Sequence, residues 1–149
     1  MYKPEKCWKT FTKLITKNKK KLEQSNLVLT VLEETFNIHR LASNSSLPEA
    51  ISECDFYSLS KTADELSLVC PEHLAVKSEK HSLDWKCLKV AGPLDFKLTG
   101  ILAGITDVLA KEKISVFAIS TFDTDYILIK KQNLTNTVSV LEREGYQIN

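Results

Sequence analysis

ISVFAISTFDTDYILI, residues 114–129, is the stretch on which the fold turns. Residues 114–121 are dominated by β-branched and apolar side chains, residues 122–125 are turn formers, and 126–129 return as a second strand, so the stretch reads as a β-hairpin. Just upstream, Leu98, Ile101, Leu102, Ile105, Val108 and Leu109 recur at i, i+3, i+4, i+7, i+10 and i+11, which puts all six on one helix face. Asp95 is the candidate cap of that helix. Before it, Gly92-Pro93 punctuates the chain after a strand at 85–90. Downstream, Leu134, Thr137, Val138 and Leu141 mark a last helix, Gly145 suits the left-handed residue just past its end, and a short strand finishes the chain. Strand, helix, strand, strand, helix, strand is the split βαβ order of a ferredoxin-like unit. It predicts an α+β fold with an antiparallel sheet and both helices on one face.

The preceding half repeats part of this order. β-rich stretches at 27–32 and 36–41 lead to a polar run, then to a short helix in which Ser46 is a possible cap and Pro48 lies in the first turn. Residues 56–60 and 66–70 flank a polar tip and form another hairpin, closed by Pro71. At an offset of 60, Ser60, Leu68 and Leu74 meet Ser120, Leu128 and Leu134. These matches predict an internal duplication: an abbreviated unit at 27–80 and a full one at 81–149.

Residues 1–26 differ from both, with eight lysines set against Glu5 and Glu23, so the rest of the chain is net negative although the whole is near neutral. Trp8, Phe11, Ile15 and Leu22 recur at roughly helical spacing, interrupted at Asn18. The segment reads as a docking helix or arm in preference to a basic helix on a membrane or nucleic acid. With no run long enough to span a bilayer and no secretory pattern, a cytoplasmic location is expected. Cys7, Cys54, Cys70 and Cys87 form no CxxC pair and read as reduced and mostly buried.

Several chemistries are set aside. Cys70, His73, His81 and Cys87 match no compact zinc spacing, so no metal is expected. Four glycines, Gly92, Gly100, Gly104 and Gly145, assemble neither a phosphate loop nor a dinucleotide fingerprint, and no cofactor is expected. No cysteine carries a nucleophile signature, which leaves no catalytic residue to name and points away from an enzyme. RNA recognition shares this element order but needs exposed aromatics and basic residues on its central strands, where 114–121 offers Phe117 and no Lys or Arg.

GPLDFKLTGILAGI at 92–105 and the hairpin at 114–129 resemble the ACT-domain family of ligand-binding regulatory modules. Specifically, they resemble its two-unit bacterial proteins related to the arginine-sensing subunit of TOR signalling. LPEAISECDFYSLSKTADELSLVCPE at 47–72 resembles the first unit of those proteins. The resemblance implies two tandem ACT-like units, an amino acid or related metabolite held near a boundary between units, a homodimer and a regulated protein partner. By motif position it implies ligand contacts from Leu98, Thr99, Gly100 and Ile101 at the helix start, and from Ser120, Thr121, Phe122, Asp123, Thr124 and Asp125 at the hairpin.

The residues suit that role on their own chemistry. A helix start exposes unpaired N–H groups and a positive dipole end, and Gly100 removes a side chain where a carboxylate would approach. Asp123 and Asp125 can accept charge-assisted hydrogen bonds from an ammonium or a basic side chain. The plain alternative is a ligand-free interaction module that dimerises through its sheets. In that case Gly100, Ala103 and Gly104 serve close packing, and Asp123 and Thr124 serve the turn.

Overall fold

The computed structural model describes residues 27–94 and 99–149. The lysine-rich segment, the Asp95 cap and Leu98 lie outside the described residues. Seven strands form one sheet in the order β2-β3-β1-β4-β6-β5, with β7 paired to β1. They are β1 (Val28–Leu41), β2 (Ser58–Lys61), β3 (Leu66–Pro71), β4 (Lys80–Val90), β5 (Val116–Ser120), β6 (Asp125–Lys130) and β7 (Gln147–Ile148). Among the described residues two helices, α1 (Ile101–Lys111) and α2 (Leu134–Arg143), join the sheet in an α+β fold. Gly145 takes φ 97° just beyond α2, the left-handed stop expected of it.

The two stretches expected at 27–32 and 36–41 are one fourteen-residue strand. What separates them is a bulge: Val31 faces Leu88 and Thr35 faces Lys86, so Leu32, Glu33 and Glu34 oppose Cys87 alone. The Lys86 ammonium donates to the Glu33 and Glu34 carbonyls at 2.6 and 3.0 Å, which satisfies backbone oxygens that the ladder cannot. The polar Glu33-Glu34 pair breaks the apolar alternation without breaking the strand. The last strand also departs from a self-contained split βαβ unit. Instead of closing on β4, β7 runs parallel to the start of β1, with Val28 opposite Gln147 and Leu29 opposite Ile148.

The segment expected to be a short helix is a 3-10 turn, Glu49–Glu53. No side-chain hydrogen bond caps it, so Ser46 has no capping role, and Ile51 is its buried residue. Five residues form little more than one turn, too few for a helical ladder.

Alternation assigns the faces. Leu88, Ile127 and Ile129 join Leu29 and Val90 under the two helices, where Ile105, Leu109 and Leu141 are fully buried. Each such side chain contributes about 1.5–3 kcal/mol relative to an exposed one. The opposite face presents Phe36, Val69, Trp85, Cys87 and Leu128, with Phe56 stacked on Tyr126 at 4.4 Å between centroids. Around β3, the 3-10 turn and the loop at 72–79 cover Leu41, Leu66, Leu68 and Cys70.

Candidate functional site

α1 begins at Ile101, directly after Gly100, whose φ of 83° and ψ of 9° are left-handed. A side-chain-bearing residue is strained there, so the glycine sets the angle at which the helix leaves the loop. Its carbonyl accepts from Gly104 N–H at 2.9 Å. Gly100 has no side chain to cap the helix, and the first turn contains no acidic residue. Further along, the Thr106 hydroxyl turns back onto the Leu102 and Ala103 carbonyls at 2.9 and 3.2 Å.

The β5–β6 hairpin is built by hydrogen bonds within its tip. Thr121 N–H donates to the Thr124 carbonyl at 2.8 Å, and the Thr121 hydroxyl reaches the same oxygen at 2.9 Å. Thr124 is buried, its hydroxyl donating to the Val90 carbonyl at the end of β4. Leu94 N–H donates to the Asp123 carbonyl at 2.8 Å. A Cβ on Gly92 would stand 2.8 Å from that carbonyl and 3.2 Å from the Thr124 Cβ, so glycine is what lets the 92–94 segment lie against the tip. The Asp125 carboxylate accepts from the Ser120 hydroxyl at 2.5 Å.

Helix start and tip together border a cleft of ≈ 600 Å³. Of the ten residues expected to meet a ligand, eight line it: Gly100, Ile101, Ser120, Thr121, Phe122, Asp123, Thr124 and Asp125. Thr99 is exposed and is not among the lining residues. Leu94, Leu102, Ala103 and Thr106 also line the cleft and were not anticipated. Helical periodicity was the available signal for Thr106, which lies one turn beyond Leu102 and Ala103. The described lining carries two carboxylates and no Lys, Arg or His. An anionic group therefore has the helix start to turn to, and a cationic group has Asp123 and Asp125. Phe122, 77% exposed, adds apolar surface at the rim.

No group of three or more His, Cys, Asp or Glu suited to a metal occurs among the described residues. Burial pushes the Cys87 thiol up to about 12 and the Cys70 thiol to about 11, so both are protonated and poor nucleophiles at neutral pH. No described helix is long and apolar enough to cross a membrane.

A family model for the ACT domain matches residues 80–143, and a second model, of an N-terminal domain, matches residues 34–75. The cytosolic arginine sensor for mTORC1 subunit 1 of Pongo abelii is 30% identical over 78% of this chain and 38% of its own length. The human protein of that name is 29% identical over the same shares. The chain thus spans well under half the length of these curated relatives. Protein Atu0741 from Agobacterium tumefaciens has a solved structure that is 30% identical, with a TM-score of 0.76 over 83% of this chain and 92% of that one. The regulatory subunit of aspartate kinase from Thermus thermophilus shares the fold at 9% identity, with a TM-score of 0.56 over 78% of this chain and 95% of that one.

Proposed function

Because this chain belongs to the ACT-domain family, we propose that it is a cytoplasmic amino-acid-binding regulatory module and not an enzyme. Two tandem ACT-like units, 27–80 and 81–149, act as one sensor, and the second unit supplies the pocket. The observation that carries this reading is the meeting, in one cleft, of two aspartates with a helix start at which Gly100 offers no side-chain cap. The α-carboxylate of the ligand takes the N–H groups and positive dipole end at Ile101, Leu102 and Ala103. The ligand's cationic end takes Asp123 and Asp125, and the absence of a basic residue from the described lining selects a positively charged side chain over an acidic one. Each pairing offsets the cost of taking a charged end out of water. The arginine named for the mTORC1 subunit is a ligand of that charge type.

A second copy covers the exposed Phe122 rim and completes the site as a homodimer. Ligand that prefers the closed packing shifts the population toward it, and a partner that reads one packing responds by the same coupling free energy.

A thermal-shift series with arginine, lysine, leucine and glutamate, combined with hydrodynamic mass, tests the proposal. At a ligand concentration of about 100 Kd the native state gains about 2.7 kcal/mol, which reads as a rise in Tm of several degrees. We expect that rise with a basic amino acid and its loss in Asp123→Asn and Asp125→Asn. If no amino acid shifts Tm while the dimer persists, the ligand-free interaction module takes its place. A strict monomer removes the intersubunit site.

A further inference from the structure

Near the start of β4, at the other end of that strand from Val90 and the hairpin tip, His39 stands directly opposite His81 in the β1–β4 register and opposite Leu68 in the β1–β3 register. The two imidazole centroids lie 6.3 Å apart. His39 is 6% exposed. Its Nδ1 lies 3.0 Å from the Ser78 hydroxyl, in the loop at 72–79, and its buried Nε2 meets no hydrogen-bond partner. That loop also carries Leu74 and Val76, which pack over the cluster of Leu41, Leu66, Leu68 and Cys70.

We propose that the His39–His81 pair is an acid-released latch, holding the 72–79 loop on the sheet while His39 is neutral and letting it go when His39 is protonated. Among the described residues His39 has no ion-pair partner. The ionisable groups that chain and register put beside the ring are Arg40 on its own strand, Lys80 and His81 on β4, and Lys77 and Glu79 in the loop. β3 sets apolar Leu68 opposite it, and Glu65 lies just before that strand. Both nearby carboxylates are already engaged, Glu65 and Glu79 each pairing with the Arg40 guanidinium. An imidazolium at His39 thus carries an Nε2–H with no acceptor, a positive charge out of water and the His81 imidazole as its neighbour. Burial first, and His81 second, hold the His39 pKa below the ordinary histidine value. The latched state is therefore fully favoured above about pH 6.5, and that advantage is lost as pH falls from there towards the lowered native value.

Amide exchange of the full chain at pH 7.5 and pH 5.0, corrected for intrinsic rates, tests the latch. Protection of residues 72–79 should be lost at pH 5.0 relative to pH 7.5, while β6 amides keep theirs. His39→Phe, which cannot titrate, should abolish the fall, and His81→Gln should reduce it. Should His39→Phe fail to fold, NMR titration of the wild-type His39 ring must give the same midpoint as the loop amides. Equal protection at both pH values, an undiminished fall in His39→Phe, or separate midpoints for ring and loop would overturn the proposal.

Discussion

The two hairpins share a turn and differ in what surrounds it. At the first tip, Thr62 N–H donates to the Glu65 carbonyl at 2.9 Å, and at the second, Thr121 N–H donates to the Thr124 carbonyl at 2.8 Å. In both, the threonine hydroxyl accepts from the N–H at the far end of the turn. The first tip is then closed by Arg40, whose guanidinium reaches the Asp64 carbonyl at 3.1 Å and the Glu65 carboxylate at 3.0 Å. At the second, a backbone group, Leu94 N–H, takes the corresponding Asp123 carbonyl, and the nearby aspartates face the cleft. The first half covers its sheet with a 3-10 turn and a loop, whereas the second uses helices of 11 and 10 residues. Matching strand pairs make the scaffold, but a pocket needs a helix that starts beside the tip and a tip that no side chain has filled.

The largest test of the comparison is whether the halves stand or fall together. Lys61 pairs with Leu66 and Ser120 with Asp125, so the hairpins correspond at an offset of 59. That makes Leu68 the counterpart of Ile127, and the two are 0% and 1% exposed. Leu68→Ala and Ile127→Ala should each cost about 2–5 kcal/mol in urea unfolding. In a sheet that unfolds as one unit, both variants move a single transition, coincident by circular dichroism and tryptophan emission. Separate transitions would split the molecule into two halves of independent stability.

A smaller effect, confined to the second half, is expected at Gly92. Valine there drives a Cβ into the Asp123 carbonyl, and because that atom is backbone, the 92–94 segment must shift. The expected cost is about 1–3 kcal/mol. If the tip's placement makes the site, Gly92→Val also loses the amino-acid response while a Leu68→Ala protein, still folded in dilute buffer, keeps it.

The offset shows where sequence reading reached and where it stopped. Strand, hairpin and helix positions in the second half follow from composition and period, and eight of ten expected ligand contacts line one cleft because a helix start and a hairpin tip are local features. Register is not local. The expected offset of 60 places Val69 on Ile129, yet Val69 belongs to the face of Cys87 and Leu128, whereas Ile129 lies under the helices. A slip of one residue exchanges the faces of a strand, and β3 and β6 are apolar on both faces, so their sequences hold no alternation to reveal it. Glu33-Glu34 reads as a break because it interrupts the apolar alternation, and what keeps the strand continuous there, Lys86 on the Glu33 and Glu34 carbonyls, is far away in sequence. The pairing of β7 with β1 likewise depends on chain ends that only the tertiary fold brings together.

The smallest expected effect is the sharpest test of what the two tips teach. Arg40 is 37% exposed in its side chain, as are its partners to a similar or greater degree, so its pairs with Glu65 and Glu79 are screened by water. Arg40→Gln should therefore cost no more than about 1 kcal/mol in urea unfolding. It would also uncover the Asp64 carbonyl and the Glu65 carboxylate, giving the first tip the acidic character of the second. No new amino-acid response is expected in a protein that also carries Asp125→Asn, because the first half offers a cationic end its partner but has no helix start to receive an α-carboxylate. A ligand-dependent rise in Tm in that double variant would show that acidic tips alone suffice, and that the helix start at Gly100 is not what distinguishes the two halves.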